Sequence, residues 1–135
     1  MSATTRISPM LAVSDGAAAI EFYKSAFGAV EQWRIDAGGS VVAGLTVDGA
    51  EFFLADENPP KTMGPDTAGS TTVRIELFVD DPEAALARAV AAGATDATAV
   101  TGHSHTTVTG SIFRMLQGGV KDPFGHIWLI GTFLD

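Results

Sequence analysis

The sequence of 135 residues predicts an α+β fold made of two consecutive β-α-β-β-β modules. Three observations carry that expectation. Alternating apolar strands open near Ile7 and again at Val73, and each is followed by an Asp-led helical stretch and further strand-like runs. Val79 of V-D-D lies 66 residues after Val13 of V-S-D, and Ala92 of A-G-A lies 65 after Phe27 of F-G-A, the mark of an internal duplication. The chain then closes on D-P-F-G, Asp122 to Gly125, between two apolar runs. Pro presets the φ of a turn's second residue, Asp bonds its own backbone and Gly accepts positive φ.

In order, the first strand runs from Ile7 to Val13, with Ile7, Pro9, Leu11 and Val13 on one face. Ser14 or Asp15 caps a helix of about ten residues, whose Ile20, Tyr23 and Phe27 fall at helical spacing before Gly28 stops it. Strands at Val30 to Ile35, Val41 to Val47 and Glu51 to Ala55 follow, turned by Gly38-Gly39 and Asp48-Gly49. The segment from Asp56 to Thr72, rich in Pro and Gly, reads as an exposed linker. Beyond it, Ile75, Leu77 and Val79 face a helix, which places Arg74, Glu76 and Phe78 on the opposite face. Asp81-Pro82 starts the second helix, with Leu86, Ala89 and Val90 as its buried stripe and Gly93 as its end. The last strands are expected at about Ala97 to Val100, Ile112 to Val120 and His126 to Phe133, with Thr101 to Ser111 as a polar insert. One domain thus spans 1–135, with modules of about 6–57 and 71–133 joined by the loop 58–70.

Hydrophobic residues make up 46% of the chain and charged ones 18%, enough for a core that needs no staples. There is no cysteine, which excludes disulfides, thiolate nucleophiles and thiolate metal sites. The start, Met1 to Arg6, lacks a basic region before an apolar run, and no window approaches the roughly 20 apolar residues of a membrane span. A cytoplasmic protein is expected. Net charge is −8 without any Lys/Arg cluster, which argues against nucleic acid or an anionic membrane as partner; the acidic balance reads first as solubility and second as a field that favours cationic ligands.

The order F-Y-x-x-A-F-G-A at Phe22 to Ala29, A-x-x-A-G-A at Ala89 to Ala94 and D-P-F-G-H-x-W at Asp122 to Trp128 resembles the vicinal oxygen chelate superfamily. That superfamily holds glyoxalase I, bleomycin-resistance proteins and extradiol dioxygenases, and the chain is most similar to its PhnB-like branch. The resemblance implies the glyoxalase/bleomycin resistance/dioxygenase fold, in which the paired modules form a mixed sheet that curves into a cup. It also implies a homodimer, with a small-molecule ligand in the cup. Metal-dependent members hold a divalent ion there by His or Glu from the first and last strands of each module. Those positions fall here on Ser8 and Arg74, and on Phe53 and Leu129. A hydroxyl, a guanidinium and two apolar groups offer no such ligand set, so no metal and no other cofactor is expected.

Arg74 and Glu76, two apart on one face and close enough to pair, read equally as a structural ion pair on a strand at a dimer interface or as a ligand clamp in the cup, with Arg74 for a carboxylate or phosphate and Glu76 for an amine. Phe78, Trp33, Phe53, Phe113, Arg114, Leu129 and Ser8 complete the candidate ligand-binding set, with Met115 near the mouth. Phe113 to Gly118 reads F-R-M-L-Q-G where PhnB-like relatives often carry W-G-D-R-x-G. His103 and His105 sit in the polar insert and read as solvated loop, whereas His126 reads as a hydrogen-bonded structural histidine. The function expected is a metal-free protein that binds or sequesters a small amphipathic or cationic molecule. The alternative is a lyase, isomerase or dioxygenase, metal-free or with rebuilt metal ligands; its metal-free form would use Glu76 as general base and Arg74 to hold an oxyanion.

Overall fold

The computed structural model describes residues 3–135; Met1 and Ser2, part of the stretch read for a targeting signal, lie outside it. The first module comprises β1 (Met10–Val13), α1 (Gly16–Phe27), β2 (Val30–Ala37), β3 (Ser40–Val47) and β4 (Ala50–Asp56). A short α2 (Pro65–Ala68) follows, and then the second module: β5 (Arg74–Phe78), α3 (Pro82–Ala92), β6 (Thr95–Thr106), β7 (Ile112–Lys121) and β8 (Ile127–Leu134). The mixed sheet comes as two four-stranded halves of identical topology, β1-β4-β3-β2 and β5-β8-β7-β6, each with one parallel pair at its edge.

Local chemistry sets the ends of these elements. Asp15 and Asp81 cap the two long helices by accepting from the backbone N–H three residues on, at 3.0 and 3.1 Å. Both hairpins of the first module turn on two residues of positive φ, Gly38-Gly39 and Asp48-Gly49, a geometry whose twist matches that of the strands.

The helices cover one face of each sheet. Leu11, Val13, Ala43, Leu45, Phe52 and Leu54 are buried beneath α1, together with Ile20, Tyr23 and Phe27 from the helix itself. The core crosses the module boundary at Trp128, whose ring lies 4.6 Å from Phe27, 5.4 Å from Tyr23 and 5.5 Å from Phe52. Ile75, Leu77 and Val79 pack against this core from the second sheet, as their alternation predicted.

Several expectations need correction. The first strand is shorter than Ile7 to Val13: only Met10 onwards pairs with β4, and Ile7 is 93% exposed. The supposed insert from Thr101 is mostly strand, because β6 continues to Thr106 and pairs residue by residue with β7, His103 with Met115 and His105 with Phe113. Its residues are almost all exposed, so no apolar alternation announced it; backbone pairing to β7 holds it in place. Val90 is 42% exposed, leaving Ala89 as the buried residue of that helix turn. The linker is not featureless either. Gly64 and Pro65 are buried, and the Glu57 carboxylate ties the segment down by accepting from Gly64 N at 2.8 Å and Thr67 Oγ1 at 2.7 Å.

Candidate functional site

Residues paired laterally across neighbouring strands point to the same face of a sheet. The faces turned away from the helices can therefore be read row by row. In the second sheet, Arg74, Ile127 and Lys121 form one row; Glu76, Leu129, Gly119 and Thr98 the next; Phe78, Gly131, Gln117 and Thr101 the third. Phe133, Met115 and His103 follow, then Phe113 with His105. In the first sheet the row matching that of Glu76 is Met10, Phe53, Gly44 and Trp33. Phe53 thus corresponds to Leu129, and Gly44 to Gly119.

The duplicated glycines have different fates. Trp33 lies over Gly44, where a Cβ would collide with its indole ring, and packs edge-on to Phe53 at 5.1 Å. Gly119 has no such lid. Its surroundings form a cavity of about 450 Å³, floored by Ile127 and Leu129 and walled by the linker at Pro65 to Thr71. Arg74, Lys121, Asp96 and Thr98 supply its polar groups.

Further along the same face, aromatic rings run across the sheet. Phe78 stacks on Phe133 at 4.7 Å, Phe133 meets Phe113 edge-on at 6.1 Å, and Phe113 contacts His105 at 5.4 Å. All three phenylalanines are at least 40% exposed. The His103 and His105 rings lie parallel with centroids 6.3 Å apart at the end of this run. They stand on strand, not on a loop.

The predicted Arg74 and Glu76 pair is not formed. Glu76 Oε1 instead accepts from Gln117 Nε2 at 2.9 Å, reaching over the bare backbone of Gly131. No carboxylate lies within 4.0 Å of the Arg74 guanidinium among the described residues. Two residues apart on one strand is a contact distance, but β7 offers Glu76 a neutral donor on the other side, and strand parity on β5 alone gave no view of it.

The remaining candidates divide. Phe53, Trp33 and half-buried Leu129 lie on the faces just described. Arg114 has the opposite parity to Phe113 and donates to the Asp135 carbonyl at 3.0 Å, away from the aromatic run. Ser8 lies before β1, its hydroxyl 3.5 Å from the Pro9 carbonyl. Lys121, Gln117 and Thr98 escaped notice in the sequence, although Lys121 and Gln117 share the strand parity of Phe113.

On the helix side, His126 is buried and its Nε2 donates to the Ala12 carbonyl at 2.8 Å, the hydrogen-bonded structural role expected of it. That bond joins the last turn to the first strand of the other module. Asp122, also buried, is the hub of this region. Its Oδ1 accepts from Phe124 N and His126 N at 2.9 and 3.0 Å, and its Oδ2 from Tyr23 Oη and Trp128 Nε1 at 2.5 and 2.9 Å. Burial, and then the negative charge of Asp122, push the Tyr23 hydroxyl well above its usual pKa of 10.0.

The chain matches the model of the Glyoxalase/Bleomycin resistance protein/Dioxygenase superfamily over residues 6–130 and belongs to that family. Its relatives include "Uncharacterized protein Mb0911c" of Mycobacterium bovis, 39% identical over 131 residues that cover 93% of this chain and 81% of that protein. Among solved structures, the gene product of Arabidopsis thaliana AT5G48480 is 30% identical with a TM-score of 0.62, covering 96% of this chain and 98% of the other. TnmS3, described as an antibiotic binding protein from Streptomyces sp. CB03234, shares the fold at 18% identity with a TM-score of 0.70, covering 99% and 100%.

The residues present do not fit the divalent ion that metal-dependent members of the family hold. The four corresponding positions carry Ser8, Phe53, Arg74 and Leu129, and no group of three or more His, Cys, Asp or Glu side chains comes together among the described residues. Nor, among those residues, is any helix long and apolar enough to cross a membrane.

Proposed function

We propose that the protein is a metal-free, PhnB-like member of its family that binds and sequesters a small amphipathic molecule on the outward face of the second sheet, acting in the cytoplasm as a homodimer. One observation carries this reading. The face holds an open cavity at Gly119 and, in the rows beyond it on the same strands, three exposed phenylalanines, so that it is polar at one end and aromatic at the other. Pockets that bind small molecules combine apolar walls with a few placed polar groups, and this face has that composition. Trp33, Phe53 and Met10 give the first sheet an apolar face of its own. Two copies could cover both, since apolar patches of this kind mark association surfaces. The description of TnmS3 as an antibiotic binding protein accords with the reading, at the level of a shared fold.

The test is a thermal-shift screen of aromatic amphiphiles, paired with elemental analysis of untagged protein. Stabilisation by a subset of compounds, lost in Phe78→Ala and Phe133→Ala, is the expected result, with less than about a tenth of an equivalent of Zn, Ni, Mn or Fe bound. Stoichiometric metal, or a ligand response indifferent to both substitutions, would overturn it. Turnover of a bound compound that Glu76→Gln abolishes without loss of binding would make the protein an enzyme instead.

A further inference from the structure

We infer that the ligand is an aromatic carboxylate, held by its anionic end between Arg74 and Lys121 and by its rings on Phe78 and Phe133. This specifies the ligand class for the binding reading above and rests on it. It also reverses the charge preference suggested by the net charge of −8.

Two cationic side chains, Arg74 and Lys121, line the cavity although the protein is acidic. Arg74 and Lys121 share a row with only Ile127 between them, about 10 Å apart from backbone to backbone at two strand spacings. Their long side chains can converge on one group above Ile127. Neither makes a salt bridge among the described residues, and both line the cavity. Among the described residues that line it, Asp96 is the one carboxylate, with Asp66 close behind Gly125, so two cationic side chains face the space where a carboxylate would sit. Thr98, in the next row beside Gly119, offers a hydroxyl to the same end.

Glu76 would oppose an anion if it faced Arg74, but it is turned to Gln117. Held there, it leaves the guanidinium free and presents its remaining acceptor sites to the middle of the ligand, where an N–H or O–H is favoured. From Arg74 to Phe78 the strand advances four residues, about 13 Å. A compound with a carboxylate, a central amide N–H and a biphenyl has that reach. The stacked Phe78 and Phe133 pair at 4.7 Å then offers exposed ring surface for its aromatic end.

The experiment is isothermal titration of the full chain with three matched probes: 4-phenylbenzoyl-β-alanine, its methyl ester, and the analogue in which a primary amine replaces the carboxylate. The acid is expected to bind at least about tenfold tighter than either analogue, a difference of about 1.4 kcal/mol. Arg74→Gln and Lys121→Gln should each reduce the acid toward the ester while leaving the melting temperature within about a degree or two, as for other substitutions outside the core. Equal affinity for acid and ester, no binding of any probe, or an acid preference that survives both substitutions would overturn the inference. Preference for the amine would overturn it too, yet leave the binding reading standing; that reading fails separately, in the screen and substitutions given for it.

Discussion

Tyr23 of the first helix and Asp122 of the last turn are hydrogen bonded across 99 residues of chain, in a pocket where both side chains are buried. The bond ties the two modules together, because Asp122 at once anchors its own turn and the Trp128 indole. Removing the hydroxyl by Tyr23→Phe leaves one acceptor site of a buried carboxylate empty, at a cost of about 1–3 kcal/mol.

The same pair makes stability fall at high pH. The folded state keeps Tyr23 protonated well above 10.0, whereas in the unfolded chain it ionises near that value. The stabilisation from this group is therefore complete below pH 10 and is lost as pH rises toward the folded value, by about 1.4 kcal/mol per pH unit. The chain has one tyrosine, so absorbance near 295 nm reads it alone. Ionisation should coincide with the loss of near-ultraviolet circular dichroism; a reversible titration near pH 10 in folded protein would refute the assignment.

Gly44→Ala should evict Trp33 with little loss of stability. The added Cβ meets the indole, a partly exposed ring that can swing out, and the lost contact with Phe53 is worth about 0.5–1.5 kcal/mol. Trp128 is 1% exposed, so a gain in acrylamide quenching reports Trp33. Unchanged quenching would show that the ring does not rest there.

Gln117→Leu removes the donor that holds Glu76, releasing that carboxylate toward Arg74. Affinity for an aromatic carboxylate should fall about tenfold, and the double variant Gln117→Leu with Glu76→Gln should recover it. A loss that the second substitution does not repair would mean that Gln117 acts on the ligand directly. Such non-additivity is expected only of groups in one network.

Phe133→Glu places a charge in the middle of the exposed aromatic run. If two copies cover that face, the variant should sediment as a monomer where the parent sediments as a dimer, with its helical circular dichroism intact, since Phe133 is 57% exposed. A parent protein that is monomeric at concentrations near 100 μM would remove the dimer from the proposal, such weak association being outside the range of stable interfaces.

The two-module fold was legible because each module buries one face of its strands under a helix. Burial forces alternation at Ile75, Leu77 and Val79, helical spacing at Ile20, Tyr23 and Phe27, and Gly or Asp at the turns, all of which are local signals. The parity that put Arg74, Glu76 and Phe78 together on the outward face came from the same rule. Where burial was absent, legibility failed: β6 is an exposed edge strand, and polar residues there look like loop.

The residues thus determined by themselves which side chains share a strand face and where the chain turns. Tertiary structure alone decided which of them meet. Glu76 and Gln117 are 41 residues apart, and Tyr23 and Asp122 are farther still. Their contacts depend on the register between strands and on helix-to-sheet packing. Whether a duplicated glycine becomes a cavity, as at Gly119, or a seat for Trp33, as at Gly44, likewise depends on what the neighbouring strand carries, which no local pattern encodes.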